Sequence, residues 1–397
     1  MQSSDFTEHS PGRLVEIPGE TRAFVPNPAP RRLDLDPATV RALGAAERAL
    51  GQLTGTLRAA GRQVNPHLIS APLLRREAIS SSRIEGTVAT PEQLVLLEVD
   101  AEERADEDED AHVPGAGGAS DTQEVLNYIR ALNHGFARLA EIPVCQRLIR
   151  EMHEILMRGV RGDAERPGEF RDVQNYIGSS RHIREARFVP PPVSELSRCL
   201  RELEVFMHES DDTLPHLIRL ALVHYQFETI HPFRDGNGRV GRLLIPLLLC
   251  TYERIEQPAL YLSPHLEQHR TQYTDLMLRV SHTGDYLGWV RFFLEAVEGS
   301  ALESITRAEA LLALRERYHA RLQSARSSAL LLRMVDSLFE RPSTSIGVAG
   351  EVMQVTPAAA AANLRKLVEA EILVEVTGRR RDQRFVAPEI IKVSHGE

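Results

Sequence analysis

Three cysteines in 397 residues are too few and too scattered to act as staples or metal ligands. Cys145, Cys199 and Cys250 are odd in number and form no CxxC pair. Neither a disulfide framework nor a structural zinc site is expected, and a reducing cytosol fits this usage. Aromatic residues are also scarce, at 5% with one tryptophan. Long apolar runs are missing. The run 243–250 is far shorter than the ~20 residues a bilayer requires, and Pro246 interrupts it. The start, Met1-Gln2-Ser3-Ser4-Asp5-Phe6, has neither a basic n-region nor an apolar core, so no secretory signal is expected. These absences argue against disulfide-rich secreted and membrane-spanning classes and point to a cytoplasmic protein without membrane contact.

What is present is an ordinary apolar share of 42%, enough to build real cores over two or three domains. The formal charge of −9 is uneven. Nine acids against Arg104 alone lie between Glu98 and Asp110, which leaves the remainder of the chain close to neutral. Global acidity therefore says little about partners.

The densest chemistry is His231-Pro232-Phe233-Arg234-Asp235-Gly236-Asn237-Gly238-Arg239-Val240-Gly241-Arg242. Its glycines let backbone N–H groups approach a ligand, as in an anion-binding nest. The segment runs into the apolar Leu243-Leu244-Ile245, so it feeds a helix N-terminus, a natural phosphate site. Asp235 is a hard oxygen donor suited to Mg²⁺ on a polyphosphate. His231 can take a proton from a hydroxyl near neutral pH.

These residues resemble the Fic family signature, HPFx[D/E]GNGRxxR, at every specified position. The resemblance implies a mainly α fold: a helical core with a small β-hairpin flap. It also implies transfer of AMP from ATP to a Ser, Thr or Tyr hydroxyl of a target protein, or of the chain itself, with release of pyrophosphate. By that resemblance His231 is the catalytic base and Asp235 the Mg²⁺ ligand. Gly236, Asn237, Gly238, Arg239, Gly241 and Arg242 hold the nucleotide. The tract from Pro167 to Pro192 is similar to the flap, along which a target segment adds as a strand. Val189 in the flap and Tyr273 after the signature are then expected beside the nucleotide. His224, inside the apolar helix that delivers His231, reads as a hydrogen-bonded core histidine.

Upstream, Ser80-Ser81-Ser82-Arg83-Ile84-Glu85-Gly86 ends a helical pattern, with Gly86 a plausible stop. Ser81 and Glu85 sit four apart and share a helix face. Ser81-x-x-x-Glu85-Gly86 resembles the family's inhibitory motif [S/T]xxxE[G/N]. The resemblance implies that Glu85 pairs with Arg242 and keeps the γ-phosphate from its productive position.

The remaining organisation follows from composition and period. Residues 1–98 hold a proline-rich extended arm and a helical region ending with the inhibitory helix. Residues 99–120 read as an acidic flexible loop. The core is expected over 121–300, a connecting helix over 301–328, and a last domain over 329–397. There Val355-Thr356-Pro357 marks a turn between two helices, and two strands flank Thr377-Gly378-Arg379-Arg380-Arg381-Asp382. The pattern resembles a winged helix-turn-helix. It leaves DNA binding through the winged helix open, with a nucleotide-sensing regulator as the alternative function. Transfer of another phosphate-containing group, removal of AMP, and homodimer formation also stay open.

Overall fold

The computed structural model describes residues 3–19, 21–62, 64–105, 117–161, 163–178, 180, 182–209, 213–253, 260–324 and 329–396. It is predominantly helical. In chain order come β1 (Gly12–Ile17), β2 (Thr21–Pro26), α1 (Pro37–Gly61), α2 (His67–Ile84), α3 (Pro91–Ala105), α4 (Gly117–Arg138), α5 (Gln146–Met157), α6 (Val193–His208), α7 (His216–Ile230), α8 (Asn237–Glu253), α9 (Ser263–Gln268), α10 (Arg270–Thr283) and α11 (Tyr286–Ser324). The chain closes with α12 (Ala329–Glu340), β3 (Ser343–Ser345), α13 (Ile346–Met353), α14 (Pro357–Glu369), β4 (Val374–Glu375), β5 (Arg384–Val386) and α15 (Pro388–His395). Residues 1–50 with 127–300 form one compact unit, and residues 51–126 with 301–397 form a second.

The first unit is built around α7. This helix is apolar on nearly every side, the pattern of a fully buried helix, and Leu217, Ile218, Leu220, Ala221, Leu222 and Val223 are all buried. The lone Trp289 of α11 is buried here too, its indole N–H donating to the Ala221 carbonyl at 2.8 Å. The N-terminal stretch is not simply an extended arm. β1 and β2 pair antiparallel, from Gly12 opposite Pro26 to Ile17 opposite Thr21. The Phe24 amide of β2 donates to the Val189 carbonyl at 2.9 Å, so the hairpin lies along the flap tract. Among the described residues the flap carries one antiparallel bridge, Ile177 with Phe188.

In the second unit, α2 ends where its sequence implies. Gly86 takes φ +91°. Its amide donates to the Arg83 carbonyl, and the Thr87 amide to that of Ser82. That double closure is a Schellman motif, which a side chain at Gly86 would strain. The acidic tract is helical further than expected: α3 runs through Ala105 on good helix-formers, and α4 begins at Gly117. The rest of the tract, 106–116, lies outside the described residues.

The C-terminal part of this unit packs Leu331, Met334, Leu338, Ala349, Leu364, Leu367 and Phe385 into one core with Leu68 of α2 and Leu314 and Tyr318 of α11. Ser345 caps α13, and Thr356 caps α14 ahead of Pro357. The three short strands order as β3-β5-β4, all antiparallel. The same unit ties these strands to α3: Ser343 Oγ donates to the Val95 carbonyl at 2.6 Å, and Arg384 pairs with Asp100 at 2.9 Å.

Candidate active site

α7 has to stop at His231, because the ring of Pro232 disfavours the α conformation in the residue before it. His231 turns into the left-handed region at φ 50°, and its amide still closes the helix on the Phe227 carbonyl. Its ring Nδ1 lies 3.2 Å from the Glu228 carbonyl. A carbonyl only accepts, so Nδ1 carries the proton and Nε2 is the basic nitrogen. The fold thus fixes the tautomer a base at this position needs.

The loop after His231 is held from within. Asn237 is buried, and its side chain grips both faces of one residue: Oδ1 accepts from the Phe233 amide at 2.7 Å, and Nδ2 donates to the Phe233 carbonyl at 2.9 Å. Gly236 sits at φ +76°, and a Cβ there would meet Met157 Sδ at 2.7 Å. Asp235 is exposed. Its Oδ1 accepts from the Gly236 amide at 2.7 Å, and no hydrogen bond is recorded for Oδ2 among the described residues. α8 starts at Asn237, with the Val240 amide closing on the Gly236 carbonyl. Its leading amides have no partner within the helix and point at the loop.

Gly238 lies in that first turn, half-buried. Arg239 and Arg242 are buried, at 3% and 2% exposure, so their guanidiniums are carried within the fold and not displayed to bulk water. Arg234 turns outward to Asp172 at 2.5 Å. The Gly241 carbonyl accepts from His224 Nδ1 at 3.1 Å, and a Cβ at Gly241 would collide with the Glu228 carboxylate. His224 is buried and stays neutral, burial lowering its pKa to about 3. Its Nε2 lies 2.8 Å from the Tyr273 hydroxyl.

Tyr273 is therefore a buried partner of His224, against Trp289. Val189 is fully buried between the flap and β2, in one cluster with Ala23 and Ala186. Ser81 is buried in α2, while Glu85 stands exposed at that helix's C-cap, followed by Gly86.

Three residues that sequence reasoning passed over also hold the loop. His153 of α5 stacks on Phe233 with ring centroids 3.7 Å apart. Its Nδ1 accepts from the Gly168 amide at 2.9 Å, so Nε2 carries the proton and donates to the Asp235 carbonyl at 3.1 Å. Burial lowers its pKa to about 4, which keeps that tautomer. Arg171 and Asn175 reach the backbone of His231 and Phe233 from the flap side. The sequence offered only the proximity of Phe170-Arg171 and Gln174-Asn175 to a broken helical pattern. Among the described residues no group of three or more His, Cys, Asp or Glu side chains could hold a metal. A cation here would rest on Asp235 and on oxygens of a ligand.

A half-buried histidine in left-handed backbone, ahead of a glycine loop and a helix N-terminus, defines a Fic-type site, and comparison with known proteins agrees. The Fic/DOC family model matches residues 143–249, and the Fic/DOC family N-terminal model matches 40–137. The chain belongs to the Fic/DOC family. It is 36% identical over 149 residues to protein adenylyltransferase Fic of Culex quinquefasciatus, covering 37% of this chain and 26% of that one. It is 32% identical over 177 residues to protein adenylyltransferase Fic of Drosophila melanogaster, covering 44% and 32%. The chain thus spans about a quarter to a third of the length of these curated relatives. Among solved structures, a Fic family protein from Desulfovibrio desulfuricans G20 is similar over 89% of this chain and 97% of its own, at 19% identity and TM-score 0.56. That likeness carries the fold across most of the chain.

Proposed function

We propose that the chain is a protein adenylyltransferase that moves AMP from ATP to a hydroxyl of a protein. The observation that carries this reading is the locked His231: left-handed backbone, Nδ1–H on the Glu228 carbonyl, and basic Nε2 beside a glycine loop at the start of α8. In the reaction Nε2 takes the proton of the target hydroxyl, and the oxygen attacks the α-phosphorus. The bond to the β-phosphate bridge breaks, and pyrophosphate leaves. The leading amides of α8 with Arg239 and Arg242 balance the phosphate charge, and positioning with charge neutralisation is most of what such a transfer requires. Asp235 would hold Mg²⁺, which would supply further charge neutralisation at the phosphates. Asn237 acts here through its grip on Phe233, and its backbone joins the anion site. Val189 and Tyr273 shape the nucleotide side from beneath, as packed residues.

Glu85 is proposed as the restraint on this site, acting on Arg242 and excluding a productive γ-phosphate. A second role is proposed for residues 329–397. The order helix, strand, two capped helices and a strand pair supports reading this part as a winged helix, and Arg379, Arg380 and Arg381 stand exposed between β4 and β5. That tip suits phosphate or acidic contacts, with DNA as one polyanion.

Intact-mass spectrometry of the Glu85→Gly protein after incubation with ATP and cell extract tests the transferase reading. A gain of one adenylyl group on the chain or on an extract protein supports it. A gain of a phosphate alone would overturn it.

A further inference from the structure

Arg171 is a buried cation that meets no carboxylate among the described residues. It is 2% exposed, and among the described residues its guanidinium meets only carbonyl oxygens. Nε donates to His231 at 2.9 Å, and Nη2 to Pro191 at 2.5 Å and to Ile230 at 3.4 Å. Nη1 lies 3.4 Å from the Val173 carbonyl. The Arg171 amide also donates to the Pro232 carbonyl at 2.9 Å. Neighbouring Asp172 is turned away, to Arg166 and Arg234. Burial lowers the Arg171 pKa to about 10, so it remains charged at neutral pH.

Burying an ion without an opposite charge is costly unless its donors are well met. A neutral side chain would fill the same space at less cost, so the position of the charge calls for a reason. The carbonyls of Ile230 and His231 are the last of α7, the negative end of its dipole, where a cation is favourable. His231 is also a non-glycine residue at φ 50°, a strained conformation that persists only where its surroundings impose it. The other end of the fork holds Pro191, where the flap tract returns to α6. One rigid planar group therefore joins the elbow that aims His231 to both ends of the flap, at Val173 and Pro191. Lysine, a single point donor, could not make these contacts together.

We infer that Arg171 is a positioning residue for His231: its guanidinium sets the elbow of the base and couples that elbow to the flap along which a target would lie. The inference rests on the reading of His231 as the base. Removing the fork relaxes the aim of Nε2 without touching the phosphate-binding groups. A displacement of about 1 Å at a reacting group can cost 10²-fold in rate. The loss then appears in kcat and not in the KM for ATP.

The test uses the full chain with Glu85→Gly, comparing Arg171 with Arg171→Lys and Arg171→Met. Arg171→Lys is expected to lower kcat about tenfold or more and Arg171→Met about 10²-fold, with the KM for ATP unchanged within about twofold. If Arg171→Met does not fold, Arg171→Lys carries the comparison. In ¹⁵N-histidine spectra, with the His231 signals assigned by their loss in His231→Ala, the parent shows His231 protonated at Nδ1. Arg171→Lys should show a mixture of tautomers. An unchanged kcat together with an unchanged tautomer in Arg171→Lys would overturn the inference, even if the melting temperature fell. An unlabelled Glu85→Gly parent would count against the transferase reading instead, and the tautomer signal would still decide the role of Arg171.

Discussion

The loop over 231–242 and the end of α2 over 81–87 are both short, glycine-bearing segments at a helix terminus, yet they are built in opposite ways. The loop is fixed from inside. Asn237 clamps Phe233, His153 holds the Asp235 carbonyl, and Arg171 and Asn175 hold His231. The end of α2 is closed by its own backbone through Gly86, and its one acidic group at the cap, Glu85, is exposed. A side chain changed in the loop removes shape and chemistry together. The Glu85 side chain lies outside that backbone closure, which Arg83, Ser82, Gly86 and Thr87 make. The contrast is what the proposed roles require: a preorganised reactive centre and an adjustable restraint.

Four substitutions or conditions break or sharpen this contrast. His231→Ala removes the base and should lower transfer about 10²–10⁴-fold, read as labelled product per minute in the Glu85→Gly background. Glu85→Gly alone should act in the opposite direction. It is expected to raise transfer about 5–150-fold, the usual range of a coupling between two sites, with the melting temperature nearly unchanged. A drop in transfer with full folding would remove Glu85 from its proposed role.

Asn237→Ala leaves the Phe233 amide buried without its partner, while the Phe233 carbonyl keeps its bond from Asn175, and should cost about 1–3 kcal/mol in urea unfolding. The last comparison is the response to pH. His224 in the first unit and His395 in the second are held neutral by burial, with pKa values of about 3 and 4. Unfolded, each takes a proton near pH 6.5. Above that pH neither affects stability. As pH falls from about 6.5 towards 4 the unfolded chain binds protons that the native chain does not. Stability should then decline by up to about 1.4 kcal/mol per pH unit for each histidine. His224→Gln and His395→Gln, measured at pH 7.5 and 5, should each flatten that slope; an unchanged slope in both would show that other groups set it.

Much of this contrast could be read from the residues. The loop is legible because glycines, a pre-proline histidine and arginines crowd into twelve positions, each demanding a special backbone or a charge partner. α7 is legible because it is apolar all round, and the stop of α2 because Gly86 follows a helical period. The elements that were not legible have separate causes. The β1–β2 hairpin was hidden by prolines that suggest an extended arm, though Leu14, Val15 and Ile17 face a second run with Ala23, Phe24 and Val25. α3 continued into the acidic tract because Glu and Ala favour helix regardless of charge. Arg171, His153 and Asn175 act on backbone atoms about 55 to 80 residues distant in sequence. A backbone carbonyl is the same at every position, so no residue type announces that it will be held from afar. Tyr273 and Val189, expected beside a nucleotide, sit as buried packing whose partners, His224 and Phe24, spacing alone does not reveal.

The central claim is that His231 drives transfer of the α-phosphoryl group with its nucleoside, under restraint from Glu85. The most direct measurement compares protein labelling from α-³²P-ATP and γ-³²P-ATP in the native chain, in Glu85→Gly, and in Glu85→Gly with His231→Ala. The account predicts label from the α position only, weak in the native chain, strong in Glu85→Gly and lost with His231→Ala. Label from the γ position, or α label that persists without His231, would contradict it.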